Sequence, residues 1–236
     1  SFNQERCDNS IYQSNGYWSR AMTTFLQAVN ETLSRLRESS VATTTTNAYS
    51  TLIGRFINDA KRQVEDAWEW DCLSTTIPVT TSANTSTYTV TGSGIRQRGV
   101  TVNDSTNKVQ LQNVPIQWIL DQQQLSTVGT GVPGYYAFNG SDGTDSKIEL
   151  FPTPAGVYSL KINAVVPQAI LTSDSTVITV PAEPVIAGAV ARALVERGED
   201  SGLSSAEAYG LFKSVLADYI SIEQSKFMEW DCFEAT

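Results

Sequence analysis

The 236-residue sequence contains no histidine, only three cysteines and few charged residues. Without histidine, Ser-His-Asp and Cys-His catalytic arrangements and every histidine-based metal site are excluded, and the commonest general base is missing. Cys7, Cys72 and Cys232 are too few and too widely spaced for a disulfide framework, so we expect reduced thiols. A zinc site at Cys72 and Cys232 would lack a C-x-x-C pair, which makes buried core thiols the better interpretation.

Other motifs that carry chemistry are also missing. There is no G-x-S-x-G elbow and no G-x-x-x-x-G-K-[ST] phosphate loop, and the glycine-rich Gly129–Gly134 has neither a lysine nor a helical pattern after it. No run approaches 18 apolar residues, and Ser1–Gln4 lacks the basic start and apolar stretch of a signal peptide. We therefore predict no catalytic residues, no metal, no cofactor and no membrane contact.

Charged side chains make up 17% of the sequence, and the net charge of −9 is concentrated near the C-terminal end. Residues 182–236 hold four basic and ten acidic side chains, a net charge of −6. An acidic surface repels phosphates, which argues against tight nucleic-acid binding through counterion release. Such a surface is compatible with DNA that slides past it without binding.

Apolar residues recur every three or four positions in two N-terminal segments, residues 18–36 and 49–68. Between these segments, the β-branched run Thr43–Thr46 disfavours a helix, and Thr46 or Asn47 can cap the second helix. We therefore predict two antiparallel helices joined by a short link.

Two further helices are predicted near the C-terminal end. Residues 185–194 form a stripe rich in small residues, with Pro184 in the first turn and Gly198 as the C-terminal stop. Ser204 and Glu207 have the spacing of a capping box, which predicts the start of the last helix.

Between the helical segments, residues 74–146 carry only seven charged side chains, and turn sequences such as Gly92–Gly94 and Asn139–Gly140 separate short alternating runs. Residues 115–120 have a β pattern that runs into a helical turn at residues 121–125. The predicted strands are Thr76–Thr80, Thr87–Thr91, Gly99–Val102, Lys108–Gln112, Lys147–Phe151, Val157–Val166 and Thr176–Val180. Many short strands with turns between them indicate an antiparallel sheet or sandwich.

These patterns predict an α+β fold. It consists of a four-helix bundle, with two N-terminal and two C-terminal helices, and an inserted antiparallel β domain. The predicted domains are an N-terminal helical hairpin at residues 1–73, the β insertion at residues 74–181, and C-terminal helices with a docking tail at residues 182–236.

Three large aromatic residues, Phe227, Trp230 and Phe233, lie within the last ten positions of the sequence. Chain ends usually fray, so large apolar side chains there need a surface that buries them. Aromatic side chains are frequent anchors of protein–protein contacts. Packing on the chain's own bundle is the alternative, and we predict these three residues as a partner-docking site.

Four motifs occur in a fixed order across residues 47–215. Trp68–Leu73 ends a helix, Gly131–Tyr136 and Leu150–Pro154 precede strands, and an alanine-rich helix ends at Arg197–Asp200. In this order of motifs the chain resembles the head-to-tail adaptor, or connector, proteins of tailed bacteriophages, short-tailed phages in particular.

The resemblance implies a structural role without enzymatic activity. It implies a ring, usually of twelve copies, that binds beneath the portal protein, with the C-terminal segment docked into the portal and the helices forming the ring. The β part would face the tail nozzle or tail-fibre proteins, and genomic DNA would pass through the channel without specific binding. The expected location is the virion, after assembly in the host cytoplasm.

Two other functions remain open from the sequence. Carboxylates that cluster on the second helix, together with Glu199, allow a virion-associated peptidoglycan-cleaving enzyme, since paired carboxylates cleave glycosides. Lys61 and Arg62 lie beside the helical cluster, so a solvated, salt-bridged face is the better interpretation. The cluster consists of Glu65, Asp66, Glu69 and Asp71. A ligand-binding β module is the other function, and it needs Trp118, Tyr135 and Tyr136 exposed on one face.

Overall fold

A computed structural model gives the fold and describes residues 22–125, 129–198 and 205–226. The chain divides into two compact units. The helical unit combines the described parts of residues 1–72 and 169–236, and the β unit consists of residues 73–168. The chain therefore enters and leaves the β unit from a helical unit made of both ends of the sequence.

All four predicted helices are present in the helical unit, and a fifth lies in the β unit. The helices are α1 (Phe25–Arg35), α2 (Ala48–Ala67), α3 (Ile116–Leu125), α4 (Ala182–Arg197) and α5 (Ser205–Gln224). The predicted cap of α2 is confirmed at Asn47, whose side-chain oxygen accepts from the Ser50 N–H at 2.7 Å. The predicted stop of α4 is confirmed at Gly198, where φ is 63°, a left-handed conformation that favours glycine.

Helix α4 lies at the centre of the helical unit and contacts α1, α2 and α5. Its small residues let these neighbours approach closely. A Cβ atom on Gly188 would lie 3.1 Å from the Ala60 Cβ of α2 and 3.1 Å from the Phe212 ring of α5. The alanine-rich stripe of the sequence is therefore a packing surface that three helices share.

The prediction of a four-helix bundle is wrong. Helix α5 packs mainly on α4, and an extended segment, residues 169–180, lies against α1 and α2. The main-chain oxygens of Thr176 and Asp174 accept from the first N–H groups of α1, those of Phe25 and Leu26, at 2.8 and 3.1 Å. These oxygens accept from N–H groups in the first turn of a helix, and the segment does not form the repeated hydrogen-bond pairs of a β-strand. The predicted strand Thr176–Val180 is therefore wrong.

The β unit contains a seven-stranded sheet in the order β1-β9-β3-β4-β6-β7-β2 and a two-stranded sheet, β5-β8. The strands are β1 (Ser74–Thr80), β2 (Thr87–Thr89), β3 (Arg98–Asp104), β4 (Val109–Asn113), β5 (Thr130–Gly131), β6 (Tyr135–Ser141), β7 (Ser146–Phe151), β8 (Thr153–Pro154) and β9 (Ser159–Val165). Six of the seven predicted strands are confirmed, and β6 is one that the sequence pattern missed.

The sheet is mixed, so the prediction of an antiparallel domain is wrong. Strands β4 and β6 pair in parallel through Gln112 with Tyr135 and Asn113 with Tyr136. Helix α3 connects them, and a strand that follows such a crossover runs parallel to the first. The region was predicted as a strand leading into a helical turn, whereas it is helical from Ile116 onward.

The seven-stranded sheet curls around one apolar cluster. Val79 of β1 and Val90, which follows β2, belong to the same cluster although β1 and β2 form opposite edges of the sheet. Asn139 and Gly140, predicted as a turn, lie within β6, where the pairing with β7 is irregular. The turn falls instead at Asp142, whose carboxylate accepts from the N–H groups of Thr144 and Asp145.

Candidate interaction site

The three predicted docking residues, Phe227, Trp230 and Phe233, lie outside the described residues. Helix α5 ends at Gln224, and the described part of the chain ends two residues later, at Lys226.

Glu223 fastens the last turn of α5 to the chain that follows α2. Its carboxylate is buried and accepts from the main-chain N–H of Asp71 at 3.2 Å, and it also pairs with the Lys226 ammonium. Asp71 is held from its other side, because the neighbouring Trp70 is buried and its indole N–H donates to the Val64 oxygen at 2.7 Å. The end of α5 is thus attached, within the helical unit, to the chain that follows α2.

The outer side of α5 is exposed and carries small, apolar and charged side chains, the charged ones being Glu207, Lys213 and Asp218. Small residues occupy its middle, and apolar side chains lie along its flank: Leu211 is 53% and Ile222 57% exposed. Val195 of α4 is 66% exposed. On the opposite side of α5, Phe212 is buried against α4. Exposed apolar side chains such as Leu211 and Ile222 are candidates for contact with a partner.

A family model described as SU10 adaptor protein matches residues 23–228, a range that includes both units. The chain belongs to the SU10 adaptor protein family. The predicted resemblance to phage head-to-tail adaptors is thereby confirmed. No curated protein matches the chain. The matched range ends before Trp230 and Phe233.

In this SU10-family adaptor, the carboxylate cluster of α2 is not a solvated face throughout. Glu65 is buried and pairs with Lys61 at 2.9 Å, and the Lys61 ammonium also donates to the Ala169 oxygen at 3.1 Å. Glu69 and Asp71 are exposed. The predicted salt bridge is correct for Glu65. Its carboxylate is buried against the Lys61 ammonium, however, and does not belong to a solvated face. Glu199 lies outside the described residues.

The aromatic residues of the β unit do not share an exposed face. Tyr136 is buried in the sheet core, where burial raises the pKa of its hydroxyl, and that hydroxyl donates to the Val100 oxygen at 2.9 Å. Trp118 is partly exposed and packs with its ring centroid 5.0 Å from that of Tyr135 and 5.5 Å from that of Phe151. These contacts attach α3 to the outer face of the sheet.

Glu149 of β7 is a second attachment point of α3, and sequence reasoning missed it. Its buried carboxylate accepts from the Thr87 hydroxyl at 2.5 Å, the Asn139 amide at 3.1 Å and the Gln123 amide of α3 at 3.1 Å. Burial raises the pKa of Glu149, but these hydrogen bonds and one from Ser86 outweigh it, and the pKa lies below its ordinary value. In the strand pattern Glu149 alternates with the core residues Ile148 and Leu150, so the sequence places it on the outer face of the sheet and does not show that it is buried there.

Arg197, the last residue of α4, holds the link between α1 and α2. Its guanidinium donates to the Tyr49 hydroxyl at 2.7 Å and to the Glu38 carboxylate at 2.6 Å, and it lies 4.8 Å from the centroid of the Tyr49 ring. Burial lowers the pKa of Arg197, but the hydrogen bonds that its guanidinium donates to Glu38 and Tyr49 outweigh burial, and the pKa lies above its ordinary value. The Arg197–Asp200 motif thus begins with a structural contact within the helical unit.

Within residues 22–125, 129–198 and 205–226, no group of three or more histidine, cysteine, aspartate or glutamate side chains could hold a metal ion. None of the helices in this described part of the chain is long and apolar enough to cross a membrane. Cys72 is half-buried, and Cys7 and Cys232 lie outside the described residues.

Proposed function

We propose that the chain is a structural, non-enzymatic head-to-tail adaptor that forms a ring under the portal of a short-tailed phage. The ring joins the portal to tail nozzle or tail-fibre proteins and leaves a channel for DNA. Membership of the SU10 adaptor family supports the adaptor role. The exposed apolar side chains of Leu211 and Ile222 on the flank of α5 support the ring, because such side chains can be buried against a second copy of the chain.

In this proposal the helical unit forms the ring, the C-terminal residues 227–236 dock into the portal, and the β unit, residues 73–168, faces the tail. Twelve copies would close the ring around the DNA. The net charge of −6 in residues 182–236 suits a channel through which DNA moves without binding, since attraction to the wall would slow it. Assembly would take place in the host cytoplasm and the product would remain in the virion.

The test of the ring is a charge placed on the outer side of α5. We expect Leu211→Glu to prevent ring closure, because an unpaired carboxylate buried between copies costs several kcal/mol. Native mass spectrometry and electron microscopy of the full chain, alone and with the portal ring of the same phage, measure the copy number. We expect rings for the native chain and single copies for the variant.

Val157→Glu provides the matched control. Val157 is an exposed apolar residue, as Leu211 is, but it belongs to the β unit, so its replacement should leave the ring intact. A native chain that stays monomeric even with the portal ring would refute the proposed function. Rings formed equally well by Leu211→Glu would refute the use of α5 as the contact between copies.

A further inference from the structure

The outer side of α2 carries a stripe of four exposed charged residues. Arg55, Asp59, Arg62 and Asp66 follow one another at spacings of four, three and four residues, which places them on one side of the helix. The other side of α2 packs on α4, where Ala60 lies beside Gly188. The four residues, called here the α2 stripe, therefore form an outer surface of the helical unit.

The two arginines of the α2 stripe lack an ion pair. Within residues 22–125, 129–198 and 205–226, neither the Arg55 nor the Arg62 guanidinium pairs with a carboxylate. Asp59 and Asp66 alternate with the arginines, so the stripe has no net positive charge and does not suit a phosphate backbone. A protein surface with a matching carboxylate is the partner that this arrangement favours.

The flank of α5 carries such a carboxylate among its apolar residues. Leu211, Asp218 and Ile222 are spaced seven and four residues apart, which places them on one side of the helix, and all three are exposed. Among the residues that the structure describes, no cation pairs with Asp218. The α5 flank and the α2 stripe thus complement each other in charge.

Helix α4 separates the two surfaces within one copy. Its Gly188 lies between Ala60 of α2 and Phe212 of α5, and both of these residues are on the buried sides of their helices. The α2 stripe and the α5 flank therefore face different directions. A ring joined head to tail needs two different, complementary faces on each copy, and these two surfaces meet that requirement.

We propose that the α2 stripe is the second face of the ring contact and receives the α5 flank of the neighbouring copy. Arg55 and Arg62 pair with Asp218 of that copy. The half-buried Leu52, which lies one turn before Arg55 on the same side of α2, packs against the apolar residues of the flank. This inference rests on the proposed function, since it names the surface that completes the ring contact of α5.

Charge reversal on both faces tests the pairing, with ring formation by the full chain measured by native mass spectrometry. Arg55→Glu/Arg62→Glu should need at least about tenfold higher chain concentration to form rings, because like charges then meet across the contact. Asp218→Lys alone should weaken the ring for the same reason. Combining the three replacements in one chain should restore rings near the native concentration.

Lys108→Glu/Lys161→Glu is the matched control. It makes the same change in net charge at exposed residues of the β unit, so it should leave the ring unchanged. Circular dichroism checks that each variant is folded. Should Arg55→Glu/Arg62→Glu fail to fold, Arg62→Glu alone carries the same prediction. Rings that are unaffected by the arginine replacements, or not restored by Asp218→Lys, would overturn the pairing.

Mixing two ring-deficient variants tests whether the contact is head to tail. Leu211→Glu has a damaged α5 flank and an intact α2 stripe, and Arg55→Glu/Arg62→Glu has the reverse. Each variant alone should remain as single copies, but the mixture should form dimers of one copy each. These dimers cannot grow, because both of their free faces are damaged. A mixture that contains only single copies would contradict the contact between α2 and α5.

The outcomes separate this inference from the proposed function. If the native chain forms no ring, alone or with the portal ring, the proposed function is refuted and the inference is refuted with it. If the native chain forms rings and Leu211→Glu does not, while Arg55→Glu/Arg62→Glu assembles normally, the α5 contact stands and only the role of the α2 stripe is refuted.

Discussion

At the scale of single residues, Gly188 decides how closely α4 approaches its neighbours. An added methyl group would meet Ala60 and Phe212 at 3.1 Å, closer than ordinary van der Waals contact. We expect Gly188→Ala to lower the free energy of unfolding by about 1–3 kcal/mol, the usual effect of overpacking a core. Urea denaturation of the variant and the native chain measures the difference.

Gly210 provides the control for this prediction. It lies on the exposed side of α5, where an added Cβ meets nothing within 4 Å. Gly210→Ala should raise the free energy of unfolding by about 0.5–1 kcal/mol, because alanine loses less backbone entropy in a helix. Stabilisation by Gly188→Ala as well would show that α2 and α5 can move apart without cost.

Glu149 gives a prediction about pH. Its pKa is lowered in the folded chain, so its stabilising effect is present above the ordinary glutamate pKa of about 4.3 and is lost as pH falls through the lowered value. We expect Glu149→Gln to reduce the free energy of unfolding by about 1.5–3 kcal/mol at pH 7, since hydrogen bonds to a charged group are lost. The deficit should shrink below about pH 4.

Urea denaturation across pH 3–7 tests this dependence, with Glu69→Gln, an exposed carboxylate, as the matched variant. That replacement should change stability little at any pH in the range. A Glu149→Gln deficit that stays constant from pH 7 to pH 3 would contradict the role of the charged form. The result also reports on α3, because the Gln123 amide is one of the donors.

At the scale of elements, β1 is an edge of the seven-stranded sheet. Just beyond the two ends of β1, the Thr81 N–H donates to the Tyr158 oxygen and the Leu73 oxygen accepts from the Val166 N–H. Because hydrogen-bonded pairs alternate along an antiparallel pair of strands, the odd-numbered residues of β1 are the ones whose main-chain groups bond to β9. The main-chain groups of the even-numbered residues, Pro78 among them, face away from the sheet. Because proline has no N–H, it removes a donor from the open edge and discourages pairing with another chain.

Replacement of Pro78 should therefore increase edge-to-edge association. We expect Pro78→Thr to aggregate severalfold faster than the native chain on mild heating, because it restores the donor and raises β propensity. Light scattering and thioflavin fluorescence measure this, and Thr80→Val, at the next outward position, serves as control. Equal aggregation of Pro78→Thr and the native chain would show that the edge is protected in some other way.

At the scale of the whole molecule, the family match covers both units, so the adaptor role belongs to the helical unit and the β unit together. The exposed flank of α5 lies in the helical unit, so the proposed contact between copies uses this unit.

The sequence by itself determined four of the five described helices, six of the strands and the family. Helix periodicity, the Asn47 cap and the Gly198 stop are local features of the sequence. They set where a helix begins and ends whichever elements it later packs against. The order of motifs from Trp68 to Asp200 is also a property of the sequence alone. None of these features depends on which elements become neighbours.

Only the tertiary structure decided how the elements are arranged. It pairs β4 with β6 in parallel, lays the 169–180 segment on α1 in place of a strand, and leaves α5 packed on α4 outside a closed bundle. It also buries Glu65 against Lys61 of the same helix, and Glu149 against Gln123 of α3. Local periodicity shows which residues share an apolar side of a helix or strand. It does not show which elements pack on the same apolar surface or share the same hydrogen-bond donors, because these contacts join segments that are distant in sequence and form only in the folded chain.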